Sequence, residues 1–208
     1  MLAQTTRTTL RQRRQRGRYD EETIYAILDE ALSCTVAFVD EGRPMCIPTI
    51  HWRMGDNVLF HGGMGSRLAT IMAGGAELCV TATLVDGLVL ARSAFHHSMN
   101  YRSVILFGQA HEITDVVAKE AAFAALIEKL SPGRYRYVRP PNVGELAATR
   151  LVALPIAEGS AKLRAGPPVD AAEDMEWPVW AGVQPVALAY GEPVPDLGLP
   201  ADRVLGRP

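Results

Sequence analysis

At 208 residues, 48% hydrophobic and carrying a net charge of −2, the chain suits one globular domain with tails, and a body of this size buries roughly 70% of its extended-chain surface. So much apolar content argues against wholesale disorder, and no apolar run reaches the ~18 residues that a membrane span needs. Cys34, Cys46 and Cys79 are odd in number and form no CxxC pair, which excludes a fully paired disulfide set and gives no zinc spacing. Buried thiols in a reducing, cytoplasmic setting are the expectation.

The chain opens on six arginines within residues 1–18 and no acid, a local +6 that leaves −8 on the remainder. We read this segment as a solvated, disordered arm rather than a nucleic-acid contact or a transit segment. A helix is predicted over 20–32, with Asp20 as N-cap, Glu21 and Glu22 at its positive start, and Ile24, Ile27, Leu28, Ala31 and Leu32 on one stripe. Short strands follow over 34–39, 45–52 and 58–61, separated by turns at 40–42 and 54–57. A glycine-rich turn, 62–67, opens a short helix that Gly74-Gly75 ends.

Strands return over 77–84 and 88–94, joined by Val85-Asp86-Gly87 as a tight turn, and a long strand runs over 101–113. An amphipathic helix over 116–130 places Ala122, Phe123, Leu126, Ile127 and Leu130 inward and Lys119, Glu120, Glu128 and Lys129 outward. An Arg/Tyr/Pro connector (134–141), a short helix (143–148) and a strand (150–156) close the body. Residues 167–208 shift to Pro, Gly and acids and read as an arm anchored by Trp177 and Trp180, disordered from about Gly191. The domain boundaries are therefore 1–18, 19–166 and 167–208.

Strands and helices do not alternate, and neither GxGxxG after a strand nor GxxxxGK[ST] occurs, so doubly wound and P-loop chemistry are excluded. The fold class is mainly β or α+β, an antiparallel barrel with capping helices. Three stretches carry candidate chemistry. In Phe60-His61-Gly62-Gly63-Met64-Gly65-Ser66-Arg67 a strand end feeds a glycine turn and a helix start, so backbone N–H groups, the Ser66 hydroxyl and the Arg67 guanidinium converge as for a phosphate. His96 to Ser103 is a polar rim; its adjacent histidines point to opposite faces of a strand and do not suit one metal ion. Lys162 and Arg164 alternate in an extended segment and share one face. No GxSxG, Cys–His pair or paired carboxylates stand out, which points to a bound cofactor that brings its own chemistry.

The ordered set Pro48-Thr49-Ile50-His51-Trp52, Phe60-His61-Gly62, Gly65-Ser66-Arg67, Tyr101-Arg102-Ser103-Val104 and Phe107-Gly108 resembles the pyridoxamine 5′-phosphate oxidase-like flavin-binding split-barrel proteins, in particular the branch with the nitroimidazole-resistance proteins. The resemblance covers about residues 19–180. It implies a six-stranded antiparallel split β-barrel that forms a homodimer with FMN at the subunit interface. By analogy Pro48, Thr49, Ile50 and His51 flank the flavin, and His61 and Gly62 sit against the ring with His61 as the catalytic candidate. Ser66 and Arg67 grip the phosphate, Tyr101 and Ser103 reach in from the partner subunit, and Lys162 and Arg164 add late basic contacts. Trp177 and Trp180 are candidate covers for the ring.

The Arg-and-His substrate segment of the oxidase itself is missing, so vitamin B6 oxidation is not expected. The implied function is a flavin-dependent oxidoreductase acting on a small molecule with a nicotinamide reductant. A non-catalytic flavin-binding protein for storage or sensing, or the same barrel with deazaflavin or haem, are the alternatives. Removal of residues 1–18 is expected to leave flavin occupancy intact.

Overall fold

Asp20 caps the first helix, its carboxylate accepting from the Thr23 N–H at 2.8 Å, and α1 (Glu21–Glu30) buries Ile24, Ile27 and Leu28. In this computed structural model residues 1–200 and Leu205 are described; the last residues of the arm, 201–204 and 206–208, for which disorder is expected, lie outside the described residues. After β1 (Gly17–Arg18), the strands are β2 (Ser33–Asp40), β3 (Arg43–Ile50), β4 (Trp52–Met54), β5 (Asn57–Gly63), β6 (Glu77–Leu90), β7 (Ser98–Gln109), β8 (His111–Ile113), β9 (Thr149–Pro155), β10 (Glu158–Arg164) and β11 (Gly182–Pro185). The remaining helices are α2 (Arg67–Ala73), α3 (Val116–Leu130) and α4 (Val143–Ala148).

Two antiparallel sheets form a split barrel: a seven-stranded one in the order β1-β10-β7-β6-β2-β3 with β11 on β6, and a four-stranded one in the order β4-β5-β9-β8. More strand segments appear than the six expected because the chain passes between sheets through the short β4 and β8, and both arms add a strand. The main core lies between the sheets beneath α1, around Val36, Phe60, Val80, Leu106 and Leu154. A smaller cluster of Trp52, Leu59, Ala122, Leu126, Leu151 and Ala153 seats α3 on the second sheet.

Several local expectations are corrected. Val85-Asp86-Gly87 is not a turn: β6 runs through it with a bulge, and the chain reverses only at residues 91–97. A Cβ on Gly87 stands 2.8 Å from Val183 Cγ1 and 3.1 Å from the Gln184 carbonyl oxygen, so the glycine admits β11 rather than bending the strand. Lys119 faces inward, 8% exposed, its ammonium donating to the Leu146 and Thr149 carbonyls at 3.0 and 2.7 Å. Both carbonyls lie at the C-terminal end of α4, and these bonds explain how a lysine is tolerated among Ala122 and Leu126.

Residues 1–18 are not a free tail. Leu2 and Thr8 are buried, Gly17 and Arg18 pair with Lys162 and Ala161, and Arg7 bonds both Glu158 and Glu77. The C-terminal arm is anchored by β11 and by the Asp170 carboxylate, which accepts from the Arg92 backbone N–H at 3.0 Å and guanidinium at 2.9 Å. Trp177 and Trp180 are about two-thirds exposed, and the Trp180 ring lies against Gly182 at the start of β11 rather than in the core.

Candidate functional site

The sequence-derived residues fall into two groups within one chain. The first lies at the rim where β3, β5 and α2 meet. Ser66 is the N-cap of α2, its Oγ accepting from the Ala69 N–H at 3.3 Å. A Cβ on Gly62 stands 3.0 Å from both Ser66 Oγ and Ala69 Cβ, so only glycine lets β5 approach the helix start this closely. Gly63 and Gly65 face open space.

His61 is half-buried between Trp52 and Phe123, with ring centroids 5.7 and 6.0 Å away. Its Nδ1 is buried without a hydrogen-bond partner among the described residues. Burial holds the ring below the usual imidazole pKa, so it stands neutral near pH 7 with a lone pair available. Ile50 packs on the same cluster as Trp52 and Phe123, which brings the end of β3 to His61. Beside Phe123 an apolar cleft of about 350 Å³ opens, lined by Phe123, Ile127, Tyr135, Val138 and Pro141, with Arg139 and Glu145 at its edge.

Arg67 does not point freely into the rim. Its Nε donates to the Asp40 carboxylate at 2.8 Å, and its Nη2 bonds the same oxygen. Asp40 pairs with Arg43 at the β2–β3 turn. Pro48 lies five residues further along β3, about 17 Å at strand rise. His51 is no rim residue: it is fully buried and its Nε2–H donates to the Leu28 carbonyl at 2.9 Å, tying β3 to the C-terminal end of α1.

The second group occupies the outer face of the large sheet. Lys162 pairs with Ser103 and Arg164 with Tyr101 across β10 and β7. Arg164 is committed: its guanidinium bonds the side-chain oxygen of the buried Asn100 and donates to the Gly166 and Pro167 carbonyls at 3.3 and 3.2 Å, clamping the start of the C-terminal arm. Lys162 makes no hydrogen bond or ion pair among the described residues. β3 lies three strands from β7 in the sheet, about 14 Å, so one chain does not bring Pro48–Ile50 and Tyr101/Ser103 together.

Two participants escaped sequence reasoning. Phe123 reads as core helix, yet it also covers His61. Arg150 sits opposite Gly62 across β5 and β9, bonding Thr70 Oγ1 at 2.8 Å and Glu112 at 3.2 Å. It reaches the rim through a pairing that no local pattern announces.

An antiparallel split barrel with a glycine-rich strand–helix turn at its rim defines the structural class. The chain belongs to the pyridoxamine 5′-phosphate oxidase family, whose sequence profile matches residues 20–163. Among solved structures it is similar to the flavocytochrome Anf3 from Azotobacter vinelandii, at 38% identity and a TM-score of 0.90 over 99% of this chain and 96% of that one. It is also similar to an FAD and haem binding protein from Mycobacterium smegmatis, at 38% identity and a TM-score of 0.88 over 92% and 94% of the two chains. A candidate 5-nitroimidazole antibiotic resistance protein from Bacteroides thetaiotaomicron shares the fold at 20% identity, with a TM-score of 0.56 over 70% and 85%. No curated protein sequence matches this chain significantly.

Proposed function

We propose that this chain is a redox flavoprotein of the flavocytochrome kind, a homodimer in which a flavin and a haem lie close to His61. The observation that carries this reading is the 38% identity, over nearly the whole of both chains, to a flavocytochrome and to an FAD and haem binding protein. The rim supports the flavin. The FMN unit, free or as part of FAD, has its ring against Pro48, Thr49, Ile50 and Gly62, and its phosphate at Ser66 and Arg67. The 14 Å separation within one chain supports a second copy, whose Tyr101 and Ser103 complete the site.

His61 supports the haem: a neutral imidazole with an unsatisfied ring nitrogen, walled by aromatics and near the apolar cleft beside Phe123, is the residue that would hold its iron. A haem held there would supply one-electron chemistry, and a bound flavin would supply two-electron chemistry with a nicotinamide donor. The protein's part is to hold both, to exclude water with Trp52 and Phe123, and to keep the His61 imidazole unprotonated.

The absorbance spectrum of the protein as purified tests this. Flavin bands together with a Soret band are expected, with bleaching of the flavin on adding NADH or NADPH. His61→Ala is expected to lose the Soret band and keep the flavin bands. A colourless protein that takes up neither FMN nor haem sinks the reading.

A further inference from the structure

The arginine-rich segment at the start of the chain is a built surface rather than a tail. Both of its ends are tied to the barrel. Arg7 bonds Glu158 at 2.9 Å and Glu77 at 2.6 Å, and Gly17 pairs with Lys162 on β10. The Tyr19 hydroxyl accepts from the Leu10 N–H and donates to the Thr8 carbonyl, both at 3.2 Å. Between these ties the chain closes a single 3-10 turn over Arg14–Arg16, the Arg16 N–H donating to the Arg13 carbonyl at 2.9 Å. Arg13 holds a left-handed backbone at φ 53, a conformation that a residue other than glycine keeps only where its surroundings impose it.

Arg11, Arg13, Arg14, Arg16 and Arg18 thus stand on a fixed loop at the edge of the large sheet, and all but Arg16 are exposed. None of the five meets a carboxylate among the described residues, whereas seven arginines elsewhere do. Arg18 donates to the Gln15 and Gly17 carbonyls at 3.0 and 2.8 Å, which leaves its charge unneutralised. The nearest acids along the chain are committed: Asp20 caps α1, and Glu21 pairs with the N-terminal ammonium at 2.7 Å. Lys162, opposite Gly17, adds a sixth unpaired cation to the same edge. Like charges gathered in this way repel one another, and an anionic partner relieves the repulsion.

The chemistry of the patch selects the partner. Residues 11–18 contain no aromatic side chain on which a base could stack, and one 3-10 turn offers no helix to enter a groove. They contain no apolar side chain to insert into a bilayer either. Residues 1–18 carry +6 against −8 on the remainder, so a long polyanion that overran the patch would meet repulsion, while a compact anionic surface is both attracted and oriented. Eight residues span at most about 27 Å, the scale of the small interfaces made by transient redox encounters. The position fits as well. Across β1, β10 and β7, Gly17 lies two strands, about 10 Å, from Ser103.

Resting on the redox reading above, in which Ser103 and Tyr101 complete the flavin site of the other copy, we propose that the Arg11–Arg18 patch is the docking surface for a small acidic protein that carries one electron at a time. The hydride of a nicotinamide donor brings two electrons. Two oxidised carriers in succession take one each and leave reduced, and one proton goes to solvent. Guanidinium groups suit this role because each can grip a carboxylate of the partner in bidentate fashion, and an exposed, salt-screened contact releases the carrier quickly.

The test titrates the purified full-length protein with two one-electron carriers, the acidic soluble domain of cytochrome b5 and the basic cytochrome c. At an ionic strength of about 0.02 M the wild type is expected to bind the first and not the second, and at about 0.2 M to bind it at least tenfold more weakly. Arg11→Glu/Arg14→Glu is expected to lose at least tenfold in affinity at low salt, with native size and cofactor content. Arg134→Glu/Arg136→Glu, the same charge change at exposed positions of the connector, is expected to bind as the wild type does. NADH-driven reduction of cytochrome b5 is expected to follow the same order. No binding of cytochrome b5, or equal losses in the two double variants, overturns the docking surface. So does binding of a DNA duplex or of phosphatidylserine vesicles in its place. A coloured, NADH-bleached protein that ignores cytochrome b5 leaves the redox reading standing, whereas a colourless protein that binds it through the patch sinks that reading alone.

Discussion

Between pH 7 and pH 4 the protein is expected to lose about 3 kcal/mol of folding stability through His51 alone. Burial, reinforced by the Lys129 ammonium, depresses the His51 pKa from 6.5 to about 4, while its hydrogen bond to Leu28 acts the other way. In the unfolded chain the ring titrates near 6.5. Below that pH the unfolded state takes up a proton that the folded state refuses, so the contribution is complete above 6.5 and is lost as pH falls towards 4. About 2 kcal/mol of the loss has accrued at pH 5. Urea denaturation at pH 7 and pH 5 measures it. His51→Gln places an amide donor where the ring Nε2–H stands and removes the titration, so its pH slope over this range is expected to flatten. A slope as steep as that of the wild type puts the acid sensitivity elsewhere.

The same residue shows where sequence reasoning stops. His51 sits in the motif-bearing stretch Pro48–Trp52, and the resemblance assigns its first four residues, Pro48 to His51, to one site. The pleat does not. Once Ile50 faces the α3 cluster, the chain leaves β3, and His51 meets the last turn of α1, where the Leu28 carbonyl lacks an intrahelical partner. Lys129 donates to that carbonyl as well, at 2.9 Å. A helix end twenty-three residues upstream thus claims the imidazole, and only the packed structure reveals it.

The helices were legible because their signals are local: Asp20, Asp115 and Asn142 each cap the helix that follows, and Asn142 with Glu145 completes a capping box. The meander of β2 and β3 was legible for the same reason, since the alternation and the Glu41-Gly42 turn lie within a few residues. Long-range terms were not. Gly87 reads as a turn residue until β11, nearly a hundred positions later, lies against it. Arg7 reads as one charge among six until Glu77 and Glu158 are brought beneath it. The glycine turn at 62–67 was placed correctly, but the partner of Arg67 was not foreseen, because Asp40 stands twenty-seven residues earlier on another element.

That partner shapes the strongest binding prediction. Arg67→Ala is expected to lower flavin affinity by about 1.5–3 kcal/mol, the range for hydrogen bonds to charged groups, or roughly 10- to 150-fold in Kd. In the absence of ligand the guanidinium rests on Asp40, with the arginine side chain 59% exposed and the carboxylate 23%. An exposed pair of this kind is worth only about 0.2–1 kcal/mol, so a phosphate dianion outcompetes it, and the aspartate holds Arg67 near the helix start without trapping it. Asp40→Asn removes the competitor and is expected to tighten flavin binding by up to about fivefold, whereas Arg67→Ala weakens it whether or not Asp40 is present. Fluorescence titration of the two single variants and the double variant separates these effects. If Arg67→Ala binds flavin as the wild type does, Arg67 is a surface ion pair and nothing more, and the phosphate must be held elsewhere on the rim, where Arg150 stands opposite Gly62.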